Sequence, residues 1–155
     1  MSEEWTLEKA IRVGLDVEKD AIELYKEAIE KVKDPSSKKM LNSIIEEKNE
    51  HLEFFEQALE NPDELVGYCM LPMEPPNYKI TDNLKHGDLG KYSDFQEILI
   101  FAAQKEQEAH DFYLEMAEQF PESNITFMFE CFAREALYHK ENLEEEYDRT
   151  VLEEF

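Results

Sequence analysis

The chain has 155 residues, 38 acidic against 16 basic, a net charge of −22, and 42% hydrophobic content. That apolar content is enough for a buried core and excludes a disordered chain; so acidic a surface repels phosphate backbones and anionic lipid faces, which argues against nucleic-acid and membrane partners. With only 4 Gly and 6 Pro, and apolar residues at helical spacing, the expected class is all-α in a single domain, 1–155.

No apolar run approaches the roughly 20 residues of a membrane helix. The segment Met1-Ser2-Glu3-Glu4-Trp5 is acidic and has no apolar signal core, so the expected location is cytoplasmic. Cys69 and Cys131 form no Cys-x-x-Cys pair and cannot build a four-thiolate iron or zinc site. In a reducing compartment both are expected as free thiols.

The first helix is expected from about Thr6, a plausible N-cap, to Lys33. Its stripe is Ile11, Leu15, Ala21/Ile22, Tyr25 and Ile29. Asp34-Pro35-Ser36-Ser37 stops it and caps the next helix. The second helix runs from about Ser36 to Glu60, with Met40/Leu41, Ile44, Glu47/Lys48, His51, Phe54/Phe55 and Ala58 inward. Residues 61–93, with further prolines at Pro72, Pro75 and Pro76, read as a long, mostly irregular connection. A helix of about 26 residues is about 40 Å long, so a connection of this length can run from one end of a bundle to the other. The third helix spans about Asp94 to Phe120, with Ser93 and Gln96 spaced as a capping box. Its stripe is Leu99, Ala102/Ala103, Glu106, Ala109, Tyr113 and Met116/Ala117. After Pro121-Glu122-Ser123, the fourth helix runs from about Asn124 to Leu152, with Met128, Phe132, Glu135/Ala136, His139, Leu143 and Tyr147 inward. Two hairpins, 6–60 and 94–152, joined by one long crossover, give the connectivity of a ferritin-like four-helix bundle.

The halves repeat. A shift of 88 residues lays Glu47 on Glu135, His51 on His139, Glu18 on Glu106 and Tyr25 on Tyr113. Glu18 and Glu106 fall on the apolar stripes, where a lone carboxylate must become protonated, pair with a cation or bind a metal. Glu47/His51 and Glu135/His139 are four apart and share a helix face, so one cation can touch both members of a pair. The candidate metal ligands are therefore Glu18, Glu47, His51, Glu106, Glu135 and His139. Four carboxylates suit two divalent cations, and an oxygen-rich shell with some nitrogen suits iron or manganese better than structural zinc. Lys48 supports a different reading. Its helical neighbours Ile44, Ile45, Leu52 and Phe55 turn it inward, where its ammonium would neutralise Glu18, Glu106 and Glu47 as a buried ionic network without metal. His51 and His139 would then be hydrogen-bonded core histidines. Tyr25 and Tyr113 are expected beside the site, as carboxylate donors or as plain aromatic packing. His110 is expected at the bundle edge and His86 in solvent; Glu50 is a lesser candidate ligand, and Cys131 reads as a small apolar core residue.

With Glu-x6-Tyr in both halves, a His on the second helix of each half and the long crossover, the chain resembles the rubrerythrin-like branch of the ferritin-like di-iron carboxylate superfamily. The resemblance covers nearly the whole chain. It implies two irons per chain, with manganese or zinc as substitutes, held between the helices and reactive with peroxide or dioxygen as an oxidoreductase, or used for iron storage. The family's second-helix motif is Glu-x-x-His. Here Lys48 and Ala136 stand three residues before the histidines, and a Glu stands one residue earlier in each half. A metal-degenerate bundle serving as a structural or interaction module, with a homodimer as one form, is the alternative. With only two cysteines and no room for a rubredoxin domain, any electron donor would be a separate protein.

Overall fold

The computed structural model describes residues 4–61, 75–84, 94–121 and 125–153. Four helices make up the bundle: α1 (Leu7–Lys31), α2 (Pro35–Glu60), α3 (Phe95–Gln119) and α4 (Thr126–Glu153). There is no strand among the described residues. Thr6 caps α1 by accepting from the Lys9 amide at 3.1 Å. Asp34 caps α2 by accepting from the Ser36 amide at 3.0 Å, with Pro35 in the first turn, where its missing N–H costs nothing. At α3 the cap is Asp94, whose carboxylate accepts from the Glu97 amide at 2.8 Å; this replaces the expected Ser93/Gln96 box, of which Ser93 lies outside the described residues.

The hairpins α1/α2 and α3/α4 have the most extensive contacts, while α1 meets α3, and α2 meets α4, more sparingly. The core falls into two apolar clusters. One gathers Leu15, Phe55, Ala109, Met116, Phe129 and Phe132; the other gathers Ile22, Leu41, Ile45, Leu99, Ala103 and Leu143. On every helix the break between clusters falls at a polar position: Glu18 on α1, Lys48 and His51 on α2, Glu106 on α3, His139 on α4. A buried polar layer thus crosses the bundle at mid-height. Below it α1 and α2 approach closely, since a Cβ on Gly14 would meet the Phe55 ring at 3.0 Å.

Residues 75–84 of the connection are tied to the α3/α4 hairpin. Lys140, 1% exposed, donates to Asn77 Oδ1 (2.9 Å) and Gln107 Oε1 (2.8 Å) and pairs with Asp82 at 2.6 Å. Glu144 accepts from the Thr81 amide at 2.7 Å and its hydroxyl at 3.0 Å. Gln104 donates to the carbonyls of Thr81 and Leu84, both at 2.9 Å. His86 lies outside the described residues.

Two expectations are corrected. His110 is not an edge residue: it is buried, with its Nδ1 2.9 Å from the Ala133 carbonyl, because the tightly packed α3/α4 hairpin closes over it. Cys131 is disulfide-bonded, not a free thiol; an argument from compartment says nothing about which sulfurs a fold brings together. Cys69 lies outside the described residues. No described helix is long and apolar enough to cross a membrane.

Candidate functional site

The polar layer is built around Lys48. Its Nζ lies 3.2 Å from Glu18 Oε2 and 3.1 Å from Glu106 Oε1, and all three side chains are at least 97% buried. Glu18 comes from α1, Lys48 from α2 and Glu106 from α3, so the ammonium joins three helices. Tyr113 Oη donates to Glu18 Oε1 at 2.6 Å and Tyr25 Oη to Glu106 Oε1 at 2.5 Å. Each tyrosine serves the glutamate of the opposite half, which settles them as carboxylate donors. Burial, with Glu106 and Glu18 adding to it, pushes both phenols well above the usual tyrosine range, so both stay protonated.

The histidines pair across the bundle as well. His51 Nε2 bonds Glu135 Oε2, and its Nδ1 stands 3.3 Å from Glu18 Oε1. His139 Nε2 bonds Glu47 Oε2 at 2.5 Å, and its Nδ1 stands 3.7 Å from Glu106 Oε2, beyond hydrogen-bond reach. Glu47 and Glu135 therefore face the histidines of the opposite hairpin. Both are partly open to solvent, at 49% and 23% side-chain exposure. Glu50 is exposed.

Charge follows from this geometry. Burial works against the charged form of every group, yet the partners win. Burial would raise the Glu106 carboxyl, but the Lys48 ammonium, with His139 and Tyr25, holds it at about 2. Glu18 is held below the usual carboxylate range against burial by Lys48, His51 and Tyr113. Burial pulls Lys48 down, but Glu106 and Glu18 push it above the ordinary lysine value. For His51, bonding to Glu135 and Glu18 outweighs burial and pushes the ring up to about 9. His139 is raised too, by Glu106 and Glu47 against burial and Lys48. A ring whose two nitrogens both face carboxylate oxygens needs an N–H on each, so His51 is an imidazolium. Four carboxylates are thus answered by two cations within the protein itself, Lys48 and His51, while the partners of His139 favour its charged form.

Two buried polar atoms of the layer lack a hydrogen-bond partner: Glu106 Oε2 and His139 Nδ1. Both belong to the half where Ala136 leaves no long side chain. In the other half every atom of Glu18 is engaged, by Lys48, His51 and Tyr113.

A pair of metal ions needs carboxylate oxygens about 2.0–2.2 Å from each ion and carboxylates shared between the ions. Here the space between Glu18 and Glu106 holds an ammonium. Residues 48 and 136, where the resemblance implies glutamates, are Lys and Ala, and Glu47 and Glu135 are spent on imidazole Nε2 atoms. Among the described residues, no three His, Cys, Asp or Glu side chains converge as ligands for one ion. The donor set does not fit a dinuclear centre.

The family model described as Rubrerythrin matches residues 2–59. No curated protein and no solved structure matches the chain. A rubrerythrin domain suggests a di-iron carboxylate protein and implies iron binding, an implication that the residues of this layer meet only in part. That match lies over α1 and α2, the second hairpin repeats their buried Glu, Tyr and His, and together they support a rubrerythrin-like member of the ferritin-like family.

Proposed function

We propose that this protein is a rubrerythrin-like bundle in which a lysine ammonium has taken the place of metal, and that it serves as a structural or interaction module rather than as a peroxidase or ferroxidase. The observation that carries the reading is Lys48 Nζ, held within 3.2 Å of both inward glutamates. A cation bound covalently to the chain neutralises the layer at all times and cannot change oxidation state. The remaining charge is met by the two histidines, each anchored by a glutamate from the other hairpin. No redox step is assigned to such a centre.

A second reading keeps the family's iron binding in reduced form. Glu106 Oε2 and His139 Nδ1 are buried, unpartnered and 3.7 Å apart, a spacing that one small cation could bridge at ordinary metal–ligand lengths. Glu47, on the far ring nitrogen, would then fix the tautomer that presents Nδ1.

Metal analysis of protein purified from iron-replete culture separates the readings. Iron well below one per chain, with no uptake of added ferrous iron, is the expected result; about one per chain supports the second reading. About two per chain, with oxo-bridge absorption in the near ultraviolet, overturns the proposal.

A further inference from the structure

A cavity of about 490 Å³ opens between α1 and α3, the looser of the seams beside α1. That volume is in the range of sites for small organic molecules. Its walls are Val17, Ala21, Leu24, Phe101, Ala109 and Phe112. The solvent-exposed Asp20, Lys105 and Glu108 also line it. From the polar layer it reaches Tyr25, Lys48 and Glu106. An apolar cavity bordered by a buried ionic cluster is an unusual way to fill a bundle, because the same volume packed with side chains would shield the cluster better.

At the cavity, the hydrogen bonds of the layer leave a donor of Lys48 over. Tyr25 spends its proton on Glu106. Lys48 has three N–H groups, and two go to Glu18 and Glu106. The third has no acceptor among the described residues, and Lys48 lines the cavity. An anionic head group would approach Glu18 and Glu106 as well as the ammonium, after passing Asp20 and Glu108, and a cationic one would meet the ammonium itself. A neutral acceptor avoids both conflicts.

We infer that the α1/α3 cavity binds a neutral, largely aliphatic molecule bearing a carbonyl oxygen, and that this oxygen accepts the third N–H of Lys48. The aliphatic body packs against Val17, Leu24, Phe101 and Phe112. This rests on the ionic-core reading, since it needs the ammonium in place.

Methyl heptyl ketone serves as the probe, with nonanoate as its charged counterpart. Trp5, the single tryptophan, lies 6.0 Å from the Phe112 ring at the cavity wall, so its fluorescence follows binding. Saturable binding of the ketone is expected, at least tenfold weaker in Ala21→Phe, which fills the cavity without touching the layer. The infrared carbonyl band of bound ketone is expected below its position in hexane, as a charge-assisted hydrogen bond requires. Absence of saturable binding, binding indifferent to Ala21→Phe, tighter binding of nonanoate, or a hexane-like carbonyl band overturns the inference. Metal is quantified on the same sample. About two irons per chain defeats the ionic core and this inference together, whereas metal-free protein that ignores the ketone defeats this inference alone.

Discussion

Replacing Lys48 by Met keeps an unbranched stem of similar volume and deletes the charge. Glu18 and Glu106 remain, 1% and 2% exposed, each short of one donor. Removing one partner of a buried ion pair costs about 3–5 kcal/mol. Because Tyr113, Tyr25 and His51 still donate to these carboxylates, a loss near the lower end, about 3 kcal/mol, is expected. The pH dependence is more diagnostic than the loss itself. In the native protein the Glu106 pKa lies below its ordinary 4.5, at about 2. Its stabilising contribution is therefore present above about pH 4.5 and lost as pH falls through about 2. Without the ammonium, Glu106 loses the largest of the influences that lower its pKa, so that pKa rises above the native value of about 2. The variant should then recover stability relative to the native protein as pH falls from about 7 to about 3. Urea unfolding at both pH values measures this. A Lys48→Met protein within about 1 kcal/mol of native at neutral pH, with no relative recovery on acidification, would refute the ionic-core argument.

Installing both absent glutamates, Lys48→Glu with Ala136→Glu, should raise iron uptake from well below one to about two per chain, read by elemental analysis; a native chain that already binds about two, with nothing added by the substitutions, means that the layer was metal-competent from the start. His51, raised from 6.5 to about 9, stabilises the fold fully below about pH 6.5 and loses that contribution as pH rises through 9, a decline on the order of 3 kcal/mol. Urea midpoints unchanged between about pH 6 and pH 10 would contradict it. Lys140→Met strips the donor from Asn77, Gln107 and Asp82 and should cost about 2–3 kcal/mol, with limited proteolysis accelerated within residues 75–84; cleavage at the native rate would count against the clamp. Gly14→Ala gains about 1 kcal/mol of helix propensity but presses on a Phe55 ring held by Phe54, Tyr113, Phe129 and Phe132. A net loss of about 1 kcal/mol in thermal or urea unfolding is expected, and a stabilised variant would show that the ring yields.

The helices and the inward Glu18, Glu106, His51 and His139 were legible in the sequence because a 3.6-residue period assigns faces and the 88-residue repeat checks each assignment against a second copy. Lys48 could be turned inward for the same reason, from Ile44, Ile45, Leu52 and Phe55. What a helical period does not carry is the relation between helices. Glu47 and Glu135 lie on the margin of the inward face, and whether they serve their own histidine or the opposite one depends on how the hairpins are set against each other. The tie between residues 75–84 and α3/α4 was hidden for a related reason. Lys140, Glu144, Gln104 and Gln107 are side chains that solvent ordinarily claims, and only the path of the connection over them makes them internal.

The break between the two apolar clusters bears on how the bundle finds one alignment. Apolar contacts discriminate poorly between neighbouring registers, since leucine against phenylalanine is much the same one turn away. The polar layer does not share that tolerance. Sliding α2 by one turn, about 5.4 Å, would carry Lys48 into one of the apolar clusters and bring an apolar side chain opposite Glu18 and Glu106, leaving charges of both signs buried and unmatched. Each such charge costs several kcal/mol, so the slipped arrangement is heavily penalised. The cross-hairpin bonds of Glu47 to His139 and Glu135 to His51 impose the same condition between hairpins joined only by a long connection. The layer acts as the index mark of a vernier: four helices that could each slide against apolar neighbours have one setting at which every charge finds its opposite.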